Sequence, residues 1–260
     1  MKKTEIVFEE RRFPPRFAPF LKGAKLYDSS CSNEAQVWYI EKEKGFYLKK
    51  ASKGTLEEEA MLYRYFHKKG LAPALLDYAS LEEDWMLTEA GRGEDATHPC
   101  YLSNPERLCD LLAESLWLLH HTDPSDCPVD HTARYLQRAE ENYQKGLFDP
   151  TLLPEKYRCF SREQAWRTVK EGRSLLQTDT LLHGDFCLPN VLLKDWLPGD
   201  FIDLGNGGVG DCHVDLFWGA WSLWFNTGKE RYAHRFLEAY GKELVDFERL
   251  RVIAAIECFG

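Results

Sequence analysis

The segment QVWYIEKEKGFYLKKAS, residues 36–52, sets two runs rich in Val, Trp, Tyr, Ile and Phe on either side of a charged turn ending at Gly45, which predicts a β-hairpin. The next segment, KGTLEEEAMLYRYFHKKG, predicts a helix with both ends marked. Thr55 and Glu58 are spaced as a capping box, Lys68 and Lys69 fall in the last turn, and Gly70 closes it. Beyond Pro73, LLDYASLEEDWMLTEA reads as two more strands joined by an acidic turn. GRGED then brings Gly91 and Gly93 without any periodic pattern, and a hinge between two lobes is expected there. From that point the spacing becomes helical. Apolar residues at 108, 111, 112, 116 and 119 give ERLCDLLAESLWLLHH one buried face, and residues 147–177 are irregular and then helical. DLFWGAWSLWF, residues 215–225, is an apolar helix too short to cross a bilayer. The expected division is a strand-rich lobe over residues 1–90 and a larger, mainly helical lobe over residues 91–260.

A chain of 260 residues that is 44% hydrophobic can bury a substantial core in one large domain or two lobes. No apolar stretch approaches the roughly eighteen residues of a membrane span. The start, MKKTEIVFEERRFPP, lacks the apolar centre of an export signal, so a soluble, cytoplasmic protein with no membrane partner is expected. Its eight cysteines are scattered, form no CxxC pair and read as free thiols. The net charge of −9 is uneven: residues 1–90 carry 15 cationic and 15 anionic side chains, residues 91–260 carry 18 and 27. Such a field repels nucleic acid and anionic membranes and attracts a cationic ligand, although charge alone suits an ordinary acidic cytosolic protein equally well.

Chemistry concentrates in LLHGDFCLPNVLLKDWLPGDFIDLGN, residues 181–206. VLL and DFID are short strand-like runs, and KDWLPG between them, ending in Pro198 and Gly199, is expected to be the turn of a hairpin. That hairpin brings its outer ends together, with Asp185 and Asn190 ahead of one strand and Asp203 after the other. Mg2+ prefers hard oxygen ligands, a few from protein and the rest from phosphate and water, so Asn190 and Asp203 suit a nucleotide-bound ion. Asp185, earlier in the loop, is placed to orient an acceptor hydroxyl and take its proton during phosphoryl transfer. The spacing H-x-D-x-x-x-x-N followed by D-x-G is the kinase catalytic-loop pattern, with Asp203-Leu204-Gly205 as its second part.

This pattern demands a strand lysine for the phosphates and a helix glutamate to hold it. Lys49 ends FYLK on the second hairpin strand, and Glu59 shares a helix face with Leu62 and Phe66, where an unpaired charge is costly. An ion pair between them is expected, in preference to a solvated charge run through Lys49, Lys50 and Glu57 to Glu59.

FYLK, LTEA, LHHTDPSDCP, HGDFCLPN, FIDLGNGGVGD and the terminal ECFG together resemble the aminoglycoside phosphotransferases of the 3′ class, a branch of the kinase-like small-molecule phosphotransferases, over nearly the whole chain. The resemblance implies an α+β, two-lobed protein-kinase-like fold and a nucleoside triphosphate, ATP or GTP, used with Mg2+. It also implies transfer of the γ-phosphate to an aminoglycoside hydroxyl, the 3′ position first, as an antibiotic-resistance activity. By position it makes Asp185 the catalytic base, Asn190 and Asp203 the metal ligands, and Lys49 with Glu59 the phosphate-binding pair. Thr88, Glu89 and Ala90 match the backbone that holds the adenine, Asn33 lies in the loop over the phosphates, and Glu257 and Phe259 fall near the acceptor's amines. Asp211 and Asp215 read as scaffold acids.

Two departures stand out. Asn206 replaces an arginine usual in the family after D-x-G, and WSLWFN at 221–226 replaces charged residues. Three other readings stay open. The same fold can act on a different small amino-alcohol or sugar, which the aromatic 221–226 segment favours. A non-catalytic nucleotide-binding regulator would be expected to have lost the lysine, the base or a metal ligand, and all are present. A metal-dependent hydrolase using His183 and His213 lacks short ligand spacing, and His183 reads rather as a loop brace. The pattern leaves the oligomeric state unknown.

Overall fold

The computed structural model describes residues 3–31, 34–151, 153–155, 158 and 161–260. The chain begins with β1 (Thr4–Ile6), α1 (Ala18–Leu21), β2 (Lys25–Asp28), β3 (Ala35–Glu41), β4 (Phe46–Ser52), α2 (Glu57–Lys68), β5 (Leu75–Ser80) and β6 (Glu83–Glu89). These strands form one antiparallel sheet in the order β1-β2-β3-β4-β6-β5. Alternation sorts β4: Phe46 and Leu48 are buried in a cluster with Phe17, Leu21, Ile40 and Leu87, which leaves Tyr47 and Lys49 on the opposite face. Each such buried side chain contributes about 1.5–3 kcal/mol. A one-residue slip would expose them all, so the apolar half of the pattern fixes the face that Lys49 occupies.

The N-terminus of α2 corrects the sequence expectation. No capping box forms: Thr55 Oγ1 donates to the Ser52 carbonyl at 2.7 Å, and the Leu56 amide is taken by the Asp84 carboxylate at 3.0 Å. A buried acid at the start of β6 thus supplies the acceptor that local spacing assigned to Thr55. The C-terminus follows the sequence: Gly70 has φ +75°, its amide donates to His67 and that of Leu71 to Phe66, the pairing of a Schellman motif.

The chain continues through β7 (Glu94–Asp95), α3 (Pro99–Leu102), α4 (Pro105–His120), α5 (His131–Gln144), α6 (Arg162–Gly172), β8 (Thr180–Leu182), β9 (Val191–Lys194), β10 (Leu197–Phe201), β11 (Gly208–Gly210), α7 (His213–Thr227), α8 (Glu230–Gly241) and α9 (Phe247–Glu257). One apolar core runs from α2 through α4, α7 and α9, and α4 buries Leu108, Leu111, Leu112, Leu116 and Leu119, the face its spacing predicts. The segment expected as a hinge is tied to the hairpin β9–β10: Glu94 pairs with Leu193, and Arg92 binds Asp200 at 2.6 Å.

The β9–β10 turn also departs from expectation. Lys194 pairs with Leu197, so Asp195 and Trp196 alone make the turn, both left-handed at φ +53° and +62°. That geometry matches the twist of the flanking strands. Pro198 and Gly199 lie inside β10, where the register shifts before Phe201. Gly199 is needed there because a Cβ would come within 2.5 Å of the Arg92 carbonyl. The described cysteines are all free thiols. Among the described residues, no helix is long and apolar enough to cross a membrane.

Candidate active site

The loop after β8 carries His183, Gly184 and Asp185 and is fixed from below by Asp215, fully buried in the first turn of α7. The Asp215 carboxylate accepts the amides of His183 and Gly184 at 2.8 and 2.7 Å and is met by His120 Nε2 at 3.1 Å. Burial opposes its charge, but the His120 contact and these amides outweigh burial and hold it below the ordinary aspartate range. Gly184 has φ +79°, and a Cβ there would lie 1.8 Å from the Asn206 carbonyl. No side chain fits where the two loops approach. His183 braces them: its Nδ1 accepts the Asp185 amide at 3.3 Å, so its proton sits on Nε2 and points to the Ile202 carbonyl at 3.0 Å.

Asn190 lies in a single 3₁₀ turn leading into β9, and its Nδ2 donates to the backbone carbonyl and Oδ2 of Asp185 at 3.0 and 2.9 Å. Its carboxamide oxygen makes none of these bonds. The Ile202 amide donates to the Asn190 carbonyl at 3.1 Å, which joins this turn to the strand end that carries Asp203. Asp203 is itself left-handed at φ +59°, an uncommon conformation outside glycine, and its amide donates to the Tyr63 hydroxyl at 3.1 Å.

Lys49 reaches across from β4. Its ammonium lies 2.8 Å from Glu59 Oε2 and 2.7 Å from Asp203 Oδ1. Burial by itself lowers the lysine's pKa, but the charges of Glu59 and Asp203 outweigh it and hold the ammonium above its ordinary range. Burial pushes the Glu59 carboxyl up and Lys49 draws it only partly back, whereas the Asp203 carboxyl is held down by Lys49 against its own desolvation. The Asp203 side chain keeps 55% of its surface exposed. The structure therefore brings Lys49, Glu59 and Asp203 into one cluster and Asp185 with Asn190 into another, linked through Ile202.

The remaining predicted residues are placed less uniformly. Thr88 is buried in β6, the Glu89 amide donates to Ala74 at 2.9 Å and the Ala90 amide to Gly45 at 3.0 Å, so these two amides of the segment expected to hold an adenine are already bonded. Asn33 lies outside the described residues. Glu257 accepts from Trp218 Nε1 at 3.0 Å and from the Tyr135 hydroxyl, and burial, with a smaller push from the charge of Asp185, raises its pKa. Phe259 is 2% exposed, and its ring packs among Tyr143, Phe148 and Trp166. Its role is to anchor the chain end.

Asp211, Cys212 and His213 offer ligand atoms within 4.8 Å of one another. The imidazole is fully engaged, since Nε2 accepts the Asp246 amide at 2.8 Å and Nδ1 therefore donates to Asp211 Oδ1 at 2.7 Å. With the Gln177 amide also on Asp211, this group latches three segments together and leaves no imidazole lone pair for a metal.

Residues 28–253 match a family described as phosphotransferase enzymes. The chain belongs to the phosphotransferase enzyme family. It is 44% identical to a probable aminoglycoside 3′-phosphotransferase of Lactococcus lactis over 98% of both chains. It is 30% identical to an aminoglycoside 3′-phosphotransferase of Niallia circulans over 68% of this chain and 67% of that one. Among solved structures, an aminoglycoside 3′-phosphotransferase of type VIII superposes with a TM-score of 0.76 at 24% identity over 96% of both chains. An aminoglycoside phosphotransferase of Streptomyces rimosus gives 0.75 at 21% identity over 94% and 95%. These likenesses show the two-lobed, kinase-like fold expected from the sequence.

In this phosphotransferase two further residues come to the cleft. Tyr47 stands two residues before Lys49 on the same face of β4, and the alternation Tyr47-Leu48-Lys49 was the signal for it. Arg134 of α5 reaches Glu58 and, at 3.1 Å, the carbonyl of Gly207, next in the chain to Asn206. Nothing in the local sequence of α5 marks it, because its neighbours come from α2 and from the loop before β11.

Proposed function

We propose that this phosphotransferase moves the γ-phosphate of ATP to a hydroxyl of an aminoglycoside, the 3′-hydroxyl first, from a cytoplasmic, two-lobed enzyme divided near residues 90 and 91. The observation that carries the reading is the pairing of Asp185 with Asn190 on one side of the cleft and of Lys49 with Asp203 on the other. The 44% identity to a relative named for this activity supports the acceptor class.

Lys49, held in place by Glu59, neutralises phosphate charge, and Tyr47 offers a ring for the base to lie against. The Ala90 amide must release Gly45 to meet the base, or the carbonyl oxygens of this strand take over the contact. Asn190 and Asp203 supply hard oxygen donors of the type Mg2+ prefers, and both retain an oxygen outside the bonds described above. When bound, the ion would neutralise charge on the phosphate oxygens. Asp185 receives the proton of the acceptor hydroxyl as its oxygen bonds to phosphorus and the bond to the β-phosphate oxygen breaks, without a covalent enzyme intermediate. Glu257, facing the same side, pairs with an acceptor ammonium.

A coupled assay of ATP and GTP consumption against aminoglycosides, choline and simple sugars, with EDTA and added Mg2+ as controls, tests this. Aminoglycoside-dependent turnover is expected, with Asp185→Ala lowering kcat by about 10²–10⁴-fold and leaving nucleotide affinity nearly unchanged. Turnover confined to choline or a simple sugar would move the acceptor class, and a fully active Asp185→Ala enzyme would remove the base.

A further inference from the structure

One helix holds Asp203 through two residues. Glu59 and Tyr63 lie a single turn apart on the same face of α2, and both are buried. Glu59 acts through Lys49 on the Asp203 carboxylate. Tyr63 meets the backbone directly, its hydroxyl accepting the Asp203 amide at 3.1 Å.

Asp203 needs such support. Its backbone is left-handed at φ +59°, a conformation that persists outside glycine only where the surroundings impose it. It stands immediately before the 3₁₀ turn Leu204–Asn206, yet its side chain makes no capping bond to that turn. The carboxylate is thus not spent on the local bond that aspartates often make with their own backbone, and something else must fix the chain. On the preceding side the Ile202 amide is held by Asn190. On the following side Leu204 is buried in the core that contains Leu62, Tyr63 and Phe66, and a Cβ on Gly205 would stand 3.5 Å from Glu59 Oε2. With its amide bonded to Tyr63 and its carboxylate to Lys49, Asp203 is fixed from both ends.

We propose that Tyr63 is a positioning residue for the metal: by accepting the Asp203 amide it keeps that aspartate in the left-handed conformation that presents its carboxylate beside Lys49. This rests on the reading of Asp203 as a metal ligand. α2 is then a common reference for the cation that meets the phosphates and the acid that meets the ion, and one helical turn sets the spacing between their supports.

Tyr63→Phe removes the acceptor oxygen and keeps the buried ring. Calorimetric titration of a non-hydrolysable ATP analogue, once with saturating Mg2+ and once in EDTA, measures what the ion adds. In Tyr63→Phe the affinity with Mg2+ is expected to fall about tenfold, the lower end for losing a group that orients a metal ligand, while the affinity in EDTA stays within about twofold of wild type. Asp203→Asn serves as the reference. If Asp203→Asn binds the analogue with Mg2+ as wild type does, Asp203 is not a ligand and the proposal falls with that reading. A loss in Asp203→Asn together with wild-type affinity in Tyr63→Phe overturns the proposal alone. So does an equal loss with Mg2+ and in EDTA, the result of a general loosening of the fold. Residue-resolved amide hydrogen exchange tests the contact in the unaltered protein: the Asp203 amide should be protected, and exchange at the rate of an open loop would overturn the proposal.

Discussion

Replacing Lys49 with methionine removes the cation from a glutamate that is only 4% exposed. Three charge-assisted bonds disappear, at 3.0 and 2.8 Å to Glu59 and at 2.7 Å to Asp203. Removing one partner of a buried ion pair costs about 3–5 kcal/mol, because the other charge stays desolvated. Glu59 can escape part of this by taking up a proton, toward which burial already pushes it, and the half-exposed Asp203 is screened by water in the cleft. The expectation is therefore the lower end, about 3 kcal/mol, or a fall in Tm of about 6–12 °C for a chain of this size. Adding Glu59→Leu removes the stranded charge, and the double variant should regain most of the lost stability. Activity should not return, since the phosphates would still lack their cation. Urea unfolding followed by circular dichroism, together with turnover, measures both effects. A single variant that loses less than about 1 kcal/mol, the size of a surface pair, or a double variant no more stable than the single one, would refute the buried-pair reasoning.

Three further outcomes follow from the catalytic loop and its supports. Gly184→Ala drives a Cβ into the Asn206 carbonyl at a positive φ, so the two loops must separate; a loss of about 1–3 kcal/mol and a fall in kcat are expected from unfolding and turnover measurements. Asp215→Asn keeps the shape but cannot accept every bond that the carboxylate takes, which costs about 1–3 kcal/mol at pH 7. Because the Asp215 pKa is depressed, the stability it contributes is complete above the ordinary 3.8 and is lost as the pH falls through the depressed value, so the Asp215→Asn variant should show a flatter acid limb when urea midpoints are followed against pH. His131 is buried and its pKa falls to about 4 from 6.5 through desolvation, with Arg134 and Arg138 adding to the fall and Asp215 and Asp130 opposing it. Its neutral form stabilises the fold fully above pH 6.5, and this is lost as the pH drops through 4, a contribution of about 3 kcal/mol. His131→Leu should remove that dependence, as read from urea midpoints at pH 7 and 4.5.

Much of the cleft was legible along the chain because its parts are local. The distance in sequence from His183 to Asn190 fits one loop, and alternation in β4 put Lys49 on the face opposite Phe46 and Leu48. The helix face shared by Glu59, Leu62 and Phe66 announced a buried acid in need of a cation, and Lys49 supplies it. Apolar spacing in α4 and the Gly70 stop were equally readable, since side-chain direction and backbone handedness there depend only on near neighbours.

What the sequence left open depends on which distant group arrives first. Thr55 had the spacing of a cap, yet Asp84 from another strand reached the helix end. Pro198 and Gly199 have turn chemistry, yet strand pairing placed the turn at Asp195 and Trp196 and used the glycine for close packing against Arg92. The Ala90 amide met Gly45, Phe259 was drawn into an aromatic cluster, and the Asp203 amide met Tyr63, 140 residues earlier in the chain. Short-range periodicity determines which way a side chain faces; only the packed chain determines what it meets, because burial and hydrogen-bond satisfaction are settled among all segments at once.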